Sequence, residues 1–174
     1  MSYAVFEPHP GDKSVTSAID YAAVVPAPVG LLGIRMSGRQ LLGIDFAPQS
    51  KPIAAAPNGA AREVLDQLFH YFEDSAWQFN LPLAMHGTPF QRRVWQALRR
   101  IPSGSTCSYG EIAREIRSSA RAVGGACRRN PIPIVVPCHR VIAAGGGAGG
   151  FMGQRDGDAL AIKTWLLDHE RRRS

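Results

Sequence analysis

The stretch Asn130-Pro131-Ile132-Pro133-Ile134-Val135-Val136-Pro137-Cys138-His139-Arg140-Val141-Ile142 decides how the rest of the chain is read. Its apolar run, Ile132 to Val136, drives toward an interior, and Pro131, Pro133 and Pro137 punctuate it. Each proline fixes its own φ, removes an N–H donor and biases the residue before it to an extended conformation. Three prolines this close together argue against a central sheet strand. The expectation is a stiff, extended segment that holds Cys138 still beside His139 and Arg140. A thiol next to an imidazole and a guanidinium is where a thiolate could be stabilised. A lone cysteine after an apolar run is more often a small buried hydrophobe, so the surrounding chain has to decide.

The 174 residues, 45% of them hydrophobic, suffice for one domain or two small ones. No apolar stretch approaches the length of a membrane span. Met1 to Pro10 carries acid and proline but no basic region leading into an apolar run, so no secretory signal is expected. Three cysteines without a Cys-x-x-Cys do not make a disulfide framework, and a reducing, cytoplasmic setting fits. Residues 1–89 hold 5 Lys/Arg against 8 Asp/Glu, a net −3, whereas 90–174 hold 15 against 6, a net +9. Nearly all the basic residues of the second half are arginines. Their bidentate donors suit phosphates and base edges, which favours a polyanion partner for this half over a merely solvated surface.

Ahead of this basic half, Ile19 to Val25, Gly30 to Met36 and Gln40 to Phe46 read as three antiparallel strands, separated by Pro26-Ala27-Pro28 and Ser37-Gly38-Arg39. Pro48 to Pro57 reads as a linker. Ala61, Val64, Leu65, Leu68 and Phe72 mark one helical face, and Asn80 to Leu83 a further strand. This acidic half shows no catalytic constellation and reads as a small α+β scaffold.

Thr88-Pro89-Phe90-Gln91 is a capping box that opens a helix with Phe90, Val94, Leu98 and Ile101 inward, ended by Pro102-Ser103-Gly104. Ser108-Tyr109-Gly110-Glu111 is a second capping box, opening a short helix with Ile112 and Ile116 inward. Arg117-Ser118-Ser119 makes a turn, and Ala120 to Arg128 a second helix, the outline of a helix-turn-helix. Ala120, Ala122, Gly124, Gly125 and Ala126 leave this second helix almost bare, although glycine in a helix costs roughly 1 kcal/mol against alanine. Something bulky comes close to it, either a neighbouring helix or a nucleic-acid backbone. Arg121 projects from its start, and Arg128 and Arg129 from its end.

Gly145 to Gly150 lacks the context of a dinucleotide fingerprint or a P-loop, and reads as a flap or a loop that closely approaches a ligand. In the last helix, which Asp158 can cap, Ile162, Trp165 and Leu166 mark an inner stripe that runs on to His169 and Glu170. An inward carboxylate needs a partner unless the last turn clears the core. The sharper expectation is that Glu170 bonds His139 and orients it to take a proton from Cys138, directly or through water.

With these residues in place, Pro137-Cys138-His139-Arg140-Val141 resembles the active-site signature of the O6-alkylguanine-DNA alkyltransferases. So does Arg121-Ala122-Val123-Gly124-Gly125-Ala126 followed by Asn130-Pro131, together with the Gly87 to Trp95 entry, the Ser108-Tyr109-Gly110 turn and the Lys163 to Glu170 ending. The resemblance implies an α+β protein. A small antiparallel-sheet domain with a helix, residues 1–84, would precede a mostly helical, winged helix-turn-helix-like DNA-binding domain, residues 85–174. It implies that Cys138 is the alkyl acceptor of a single-turnover repair of O6-alkylguanine, with O4-alkylthymine a further candidate substrate. His139 and Glu170 would complete a Glu-His-water-Cys relay, Asn130 would bond the active-site segment to the helix-turn-helix, and Tyr109 would protonate the leaving guanine. Arg121 would fill the gap left by a flipped nucleotide. Ala122, Gly124, Gly125, Arg128 and Arg140 would face DNA, and Val141, Phe151, Met152 and Cys127 would shape the base pocket. It implies no cofactor, and no structural zinc, since no cysteine precedes Cys107. The partner would be alkylated double-stranded DNA, bound by a monomer with clustering along DNA left open, and no membrane. The chain departs from the pattern in a shorter Tyr109 to Arg121 stretch, in Met152 after the pocket aromatic, and in a longer joint from Gln154 to Leu160.

Two alternatives stay open at this point. A Cys-His hydrolase or acyltransferase could draw an oxyanion hole from the glycine-rich stretch, but it leaves the arginine bias unexplained. A non-enzymatic damage reader or helix-turn-helix regulator would not need an activated thiol.

Overall fold

The computed structural model describes residues 20–46, 59–154 and 157–172. The expected linker at 48–57 lies outside the described residues. Three antiparallel strands come first, β1 (Ala23–Ala27), β2 (Gly30–Ser37) and β3 (Gln40–Phe46), in the order β1-β2-β3. The first strand begins and ends later than the sequence pattern predicts and includes Pro26, a residue that reads as part of a turn. Because β1 is an edge strand, a residue without an N–H is tolerated there. Alternation puts Leu32 and Ile34 into the core, and a register shift opposite Arg35/Met36, with Leu42 as the extra residue of β3, lets Leu41 and Ile44 both join them.

Helix α1 (Ala60–Glu73) covers the sheet with Ala61, Val64, Leu65, Leu68 and Tyr71. Tyr71, not Phe72, completes that stripe; Phe72 is half-buried. The strand expected at Asn80 to Leu83 is instead a single bridge, Leu41 with Leu83. It is fastened by the Leu41 N–H to Pro82 O (2.8 Å) and the Ala84 N–H to Leu41 O (2.9 Å).

Helix α2 (Pro89–Leu98) opens with the full Thr88/Gln91 capping box, and α3 (Tyr109–Glu115) with the full Ser108/Glu111 box. Of the face expected for α2, Phe90 is only half-buried, and the buried positions include Trp95 and Ala97. Trp95 Nε1–H donates to Ala126 O (2.9 Å) and so pins α2 to α4 (Ala120–Arg128). Four residues, 116–119, join α3 to α4, with Arg117 at φ 54. Just ahead of α3, the short strand β4 (Cys107–Ser108) pairs in parallel with β5 (Val141–Ile142).

The segment leading to Cys138 is not extended. It is a series of turns closed by the Val136 N–H to Ile132 O (2.9 Å) and the Cys138 N–H to Val136 O (2.8 Å), ending in one turn of 3₁₀ helix over Cys138–Arg140. The prolines bar a ladder, so the remaining amides bond locally. Ile134 sits at φ 72, a left-handed conformation that costs a β-branched residue on the order of 1–3 kcal/mol. The whole run from Ile132 to Val141 is buried, so packing holds it there.

Helix α5 (Gly157–Arg171) starts before Asp158, which therefore lies in its first turn and is not its cap. Its buried stripe is Ala159, Lys163, Leu166, Leu167 and Glu170, one position off the expected Ile162/Trp165 line. Among the described residues no helix is long and apolar enough to cross a membrane.

Candidate active site

Asn130, just past α4, organises the thiol. Its Nδ2 donates to Val136 O (2.7 Å) and to Cys138 Sγ (3.2 Å), and its Oδ1 accepts from the Ile132 N–H (3.0 Å). One amide therefore ties the end of the helix-turn-helix to both sides of the proline-rich turn.

Behind the cysteine, His139 Nε2 lies 2.8 Å from Glu170 Oε1, and both side chains are fully buried. The expected pairing is present. The carboxylate also accepts from Tyr71 Oη–H (2.9 Å), from the Gly104 N–H (3.1 Å), and from Arg140 through Nε and Nη2 (both 2.9 Å at their shorter contacts). Arg140, expected on the DNA face, is turned inward, and its remaining Nη1 donates to Ile101 O (2.6 Å). A guanidinium spent on a buried carboxylate and a carbonyl has no donor fork left for a phosphate.

Burial alone would raise the Glu170 carboxyl, but bonds from His139 and Arg140 more than reverse it and hold it well below the usual carboxylate range. Burial, aided by Arg140 and Lys163, holds His139 below the usual imidazole range against the pull of Glu170. The ring is then neutral near pH 7. Because an ionised carboxylate only accepts, Nε2 carries the hydrogen and Nδ1 is the basic nitrogen. That Nδ1 is buried and has no hydrogen-bond partner among the described residues.

Burial also pushes the Cys138 thiol up; Asn130, Lys163 and nearby backbone amides pull it down without offsetting this. The sulfur rests as a thiol, and the expected stabilisation by Arg140 is absent because Arg140 faces Glu170. A lysine on a helix usually snorkels to water, so no role for Lys163 beyond its place in the Lys163 to Glu170 ending is legible in the sequence. Here it is fully buried and donates to Val141 O (2.6 Å) and Gly150 O (3.2 Å). Its place on the buried stripe, seven residues before Glu170, was the available signal.

Cys138 opens onto a cavity of about 730 Å³. Tyr109, Phe151 and Met152 line it with Cys127, while Arg121, Gly124, Gly125 and Arg128 of α4 form another wall. Val141 does not line it; its side chain is fully buried and it contributes its carbonyl to Lys163. Tyr109 Oη–H donates to Gly150 O (3.3 Å), and burial raises this phenol to about 12, so it keeps its proton. Burial likewise raises Cys127 to about 12. Met152 stands on the rim, 38% exposed at φ 51. The glycine-rich stretch is tied here through the Gly150 carbonyl, the opposite polarity from an oxyanion hole.

The outer face of α4 is bare. A Cβ on Gly125 would meet nothing within 4 Å, and one on Gly124 only the Tyr109 ring at 3.9 Å. No neighbouring helix requires these glycines. Arg121 is exposed and bonds no described residue. Ala122 lines a second depression, against Thr88 and Phe90. Arg128 is exposed, but its chain lies over Gly153, where a Cβ would fall 2.6 Å from Nε.

Residues 89–172 match the family described as 6-O-methylguanine DNA methyltransferase, DNA binding domain. Over 151 residues the chain is 42% identical to a methylated-DNA–protein-cysteine methyltransferase of Mycobacterium leprae, covering 83% of this chain and 88% of that one. Over 111 residues it is 47% identical to the constitutive methylated-DNA–protein-cysteine methyltransferase of Bacillus subtilis, covering 63% and 65%. Its fold is similar to Mycobacterium tuberculosis OGT crystallised in complex with DNA (TM-score 0.73, 39% identity, 87% of this chain and 92% of that one). It is also similar to the O6-methylguanine-DNA methyltransferase of Pyrococcus kodakaraensis (TM-score 0.65, 29% identity, 84% and 97%).

Proposed function

The chain belongs to the methylated-DNA–protein-cysteine methyltransferase family, and from that premise we propose that it repairs O6-alkylguanine in DNA by taking the alkyl group onto Cys138. The observation that carries this reading is the cavity itself. A thiol held by Asn130 lines it, a buried proton acceptor stands behind, and the bare face of α4 with Arg121 forms a wall.

An O6-alkyl group lies within the base stack, so the nucleotide has to leave the duplex to reach Sγ. α4 can lie close against DNA because no side chain holds it off, and Arg121 occupies the space the flipped base leaves. In the cavity, the Cys138 proton passes through a water to His139 Nδ1, and Glu170 holds the resulting imidazolium. The sulfur lone pair attacks the alkyl carbon, the carbon–oxygen bond breaks, and its electrons return to the guanine ring. Tyr109 supplies the proton the leaving base requires, and the proton taken from Cys138 passes from the imidazolium through water to restore the phenol. The product is a thioether, which water cannot hydrolyse, so each molecule acts once.

We place the boundary between the scaffold and the alkyl-acceptor domain near residue 84, and the working protein as a monomer. Three unpaired cysteines support a reducing, cytoplasmic setting. The test is intact mass spectrometry with excess duplex DNA containing O6-methylguanine. The chain should gain about one CH₂ in mass, located on Cys138, and then stop, as the thioether chemistry requires. Methyl on another residue, or repair beyond one equivalent, overturns the reading.

A further inference from the structure

The Glu170 carboxylate draws donors from widely separated parts of the chain. His139 and Arg140 lie on the active-site turn, Gly104 on the loop after α2, and Tyr71 on α1, in the acidic half that reads as scaffold. Within this set the two oxygens are used differently. Oε2 accepts from Gly104 and Arg140 Nε, whereas Oε1 accepts from Tyr71 Oη, Arg140 Nη2 and His139 Nε2, with a longer contact from Arg140 Nε at 3.2 Å. Tyr71 therefore shares one oxygen with the imidazole. Its ring is wholly buried and packed by Phe72, Phe79 and the edge of His169, whose Nε2 meets the Tyr71 carbonyl at 2.9 Å. The phenol is thus aimed by packing, with no freedom to find another acceptor.

We propose that Tyr71 is a positioning residue of the proton relay, whose phenol fixes the orientation and limits the basicity of the Glu170 oxygen that faces His139. This rests on the alkyl-transfer reading above. A hydrogen bond to a carboxylate lowers its charge density and so its hold on a second donor. Removing the Tyr71 hydroxyl leaves Oε1 more basic. A more basic Oε1 stabilises the imidazolium, and His139 then takes up a proton at higher pH. Among the described residues, Glu170, Lys163 and His169 of α5, Arg140 and Cys138 of the active-site turn, and Tyr71 of α1 are the titratable and charged groups around this pair. Tyr71 itself stays protonated throughout, because burial and the adjacent carboxylate raise its phenol far above the ordinary value.

The readout is the pH dependence of the benzyl-transfer rate from free O6-benzylguanine, which needs no DNA binding. The rate should fall on the acid side as His139 protonates. In Tyr71→Phe that acid limb should move up by about half to one pH unit, the equivalent of one neutral hydrogen bond. The plateau rate should fall as well, since the carboxylate is less well aimed. Leu65→Ala serves as the control, because Leu65 is buried on the same helix but belongs neither to the rings around Tyr71 nor to the donors of the carboxylate. It should lower the melting temperature and leave the limb in place. Replacing Tyr71 by 3-fluorotyrosine keeps the packing and sharpens the donor, so the limb should move down; this holds the test open if Tyr71→Phe folds poorly. An acid limb unmoved in both Tyr71 variants, or moved equally by Leu65→Ala, overturns the inference. Failure of the unaltered chain to form any benzyl adduct overturns the alkyl-transfer reading instead, and the two failures are told apart by that control.

Discussion

Arg140 and Arg121 belong to the same basic half and are used in opposite ways. Arg140 is buried, and all of its bonding goes to Glu170 and Ile101. Arg121 stands in water at the start of a bare helix and bonds nothing among the described residues. The first region is complete by itself, since the donors around Glu170 are in place without a partner. The second makes sense only against something outside the chain. Preorganised chemistry and partner recognition are thus separated by a few residues of cavity wall, and changes to one should leave the other largely intact.

The largest effect should come from breaking the complete region. Arg140→Ala leaves a buried carboxylate without its cation, a defect of about 3–5 kcal/mol, and chemical denaturation should show a loss of that order. A loss below about 1 kcal/mol, the level of an exposed pair, would break the comparison. Arg121→Ala should change stability by less than about 0.5 kcal/mol, as for other surface substitutions. Its repair of duplex DNA should nevertheless fall roughly tenfold or more, since base flipping costs a few kcal/mol, while benzyl transfer from free O6-benzylguanine stays unchanged. Equal loss on both substrates would mean that Arg121 serves the chemistry.

Thermal stability against pH should be a property of the buried region alone. Glu170 is held below its unfolded range, so its contribution is present above about pH 4.3 and is lost as pH falls further. His139 is held neutral in the fold, so its contribution is present above about pH 6.5 and declines below. Cys138 is raised, so its contribution is present below about pH 8.5 and declines above. The melting temperature should therefore be flat between about pH 6.5 and 8.5 and fall on both sides, with the same curve in Arg121→Ala. A curve rising toward pH 5 would mean that His139 is charged in the fold. The smallest effect is expected at Gly125→Ala. It should stabilise the free protein by up to about 1 kcal/mol through helix propensity, with no clash inside the chain, yet weaken DNA binding. Unchanged DNA binding would remove the close-approach role of that face.

Local signals in the sequence survived folding well. The boxes at Thr88 and Ser108, the bounds of α4 and β3, and the Glu170–His139 pairing were all legible, because each depends on neighbours or on a helical period. Tyr71, Gly104 and the inward turn of Arg140 were not. Their bonds to Glu170 span 99, 66 and 30 residues and leave no periodic trace. The extended geometry expected for the proline-rich segment failed for a related reason. Local bias favoured extension residue by residue, but the freed amides found partners only two and four residues back, and burial then fixed Ile134 in a conformation its side chain disfavours.

The donors to Glu170 named above all precede it in the chain, from Tyr71 through Gly104 to His139 and Arg140. A ribosome working from the N-terminus delivers them first and the carboxylate last. During synthesis the imidazole has no anchor and the guanidinium no counter-ion, and Cys138 is one more ordinary sulfhydryl on a nascent polypeptide. The proton acceptor is assembled only when α5 emerges and docks. A protein that acts once has reason to be born inert, and here the order of translation arranges it.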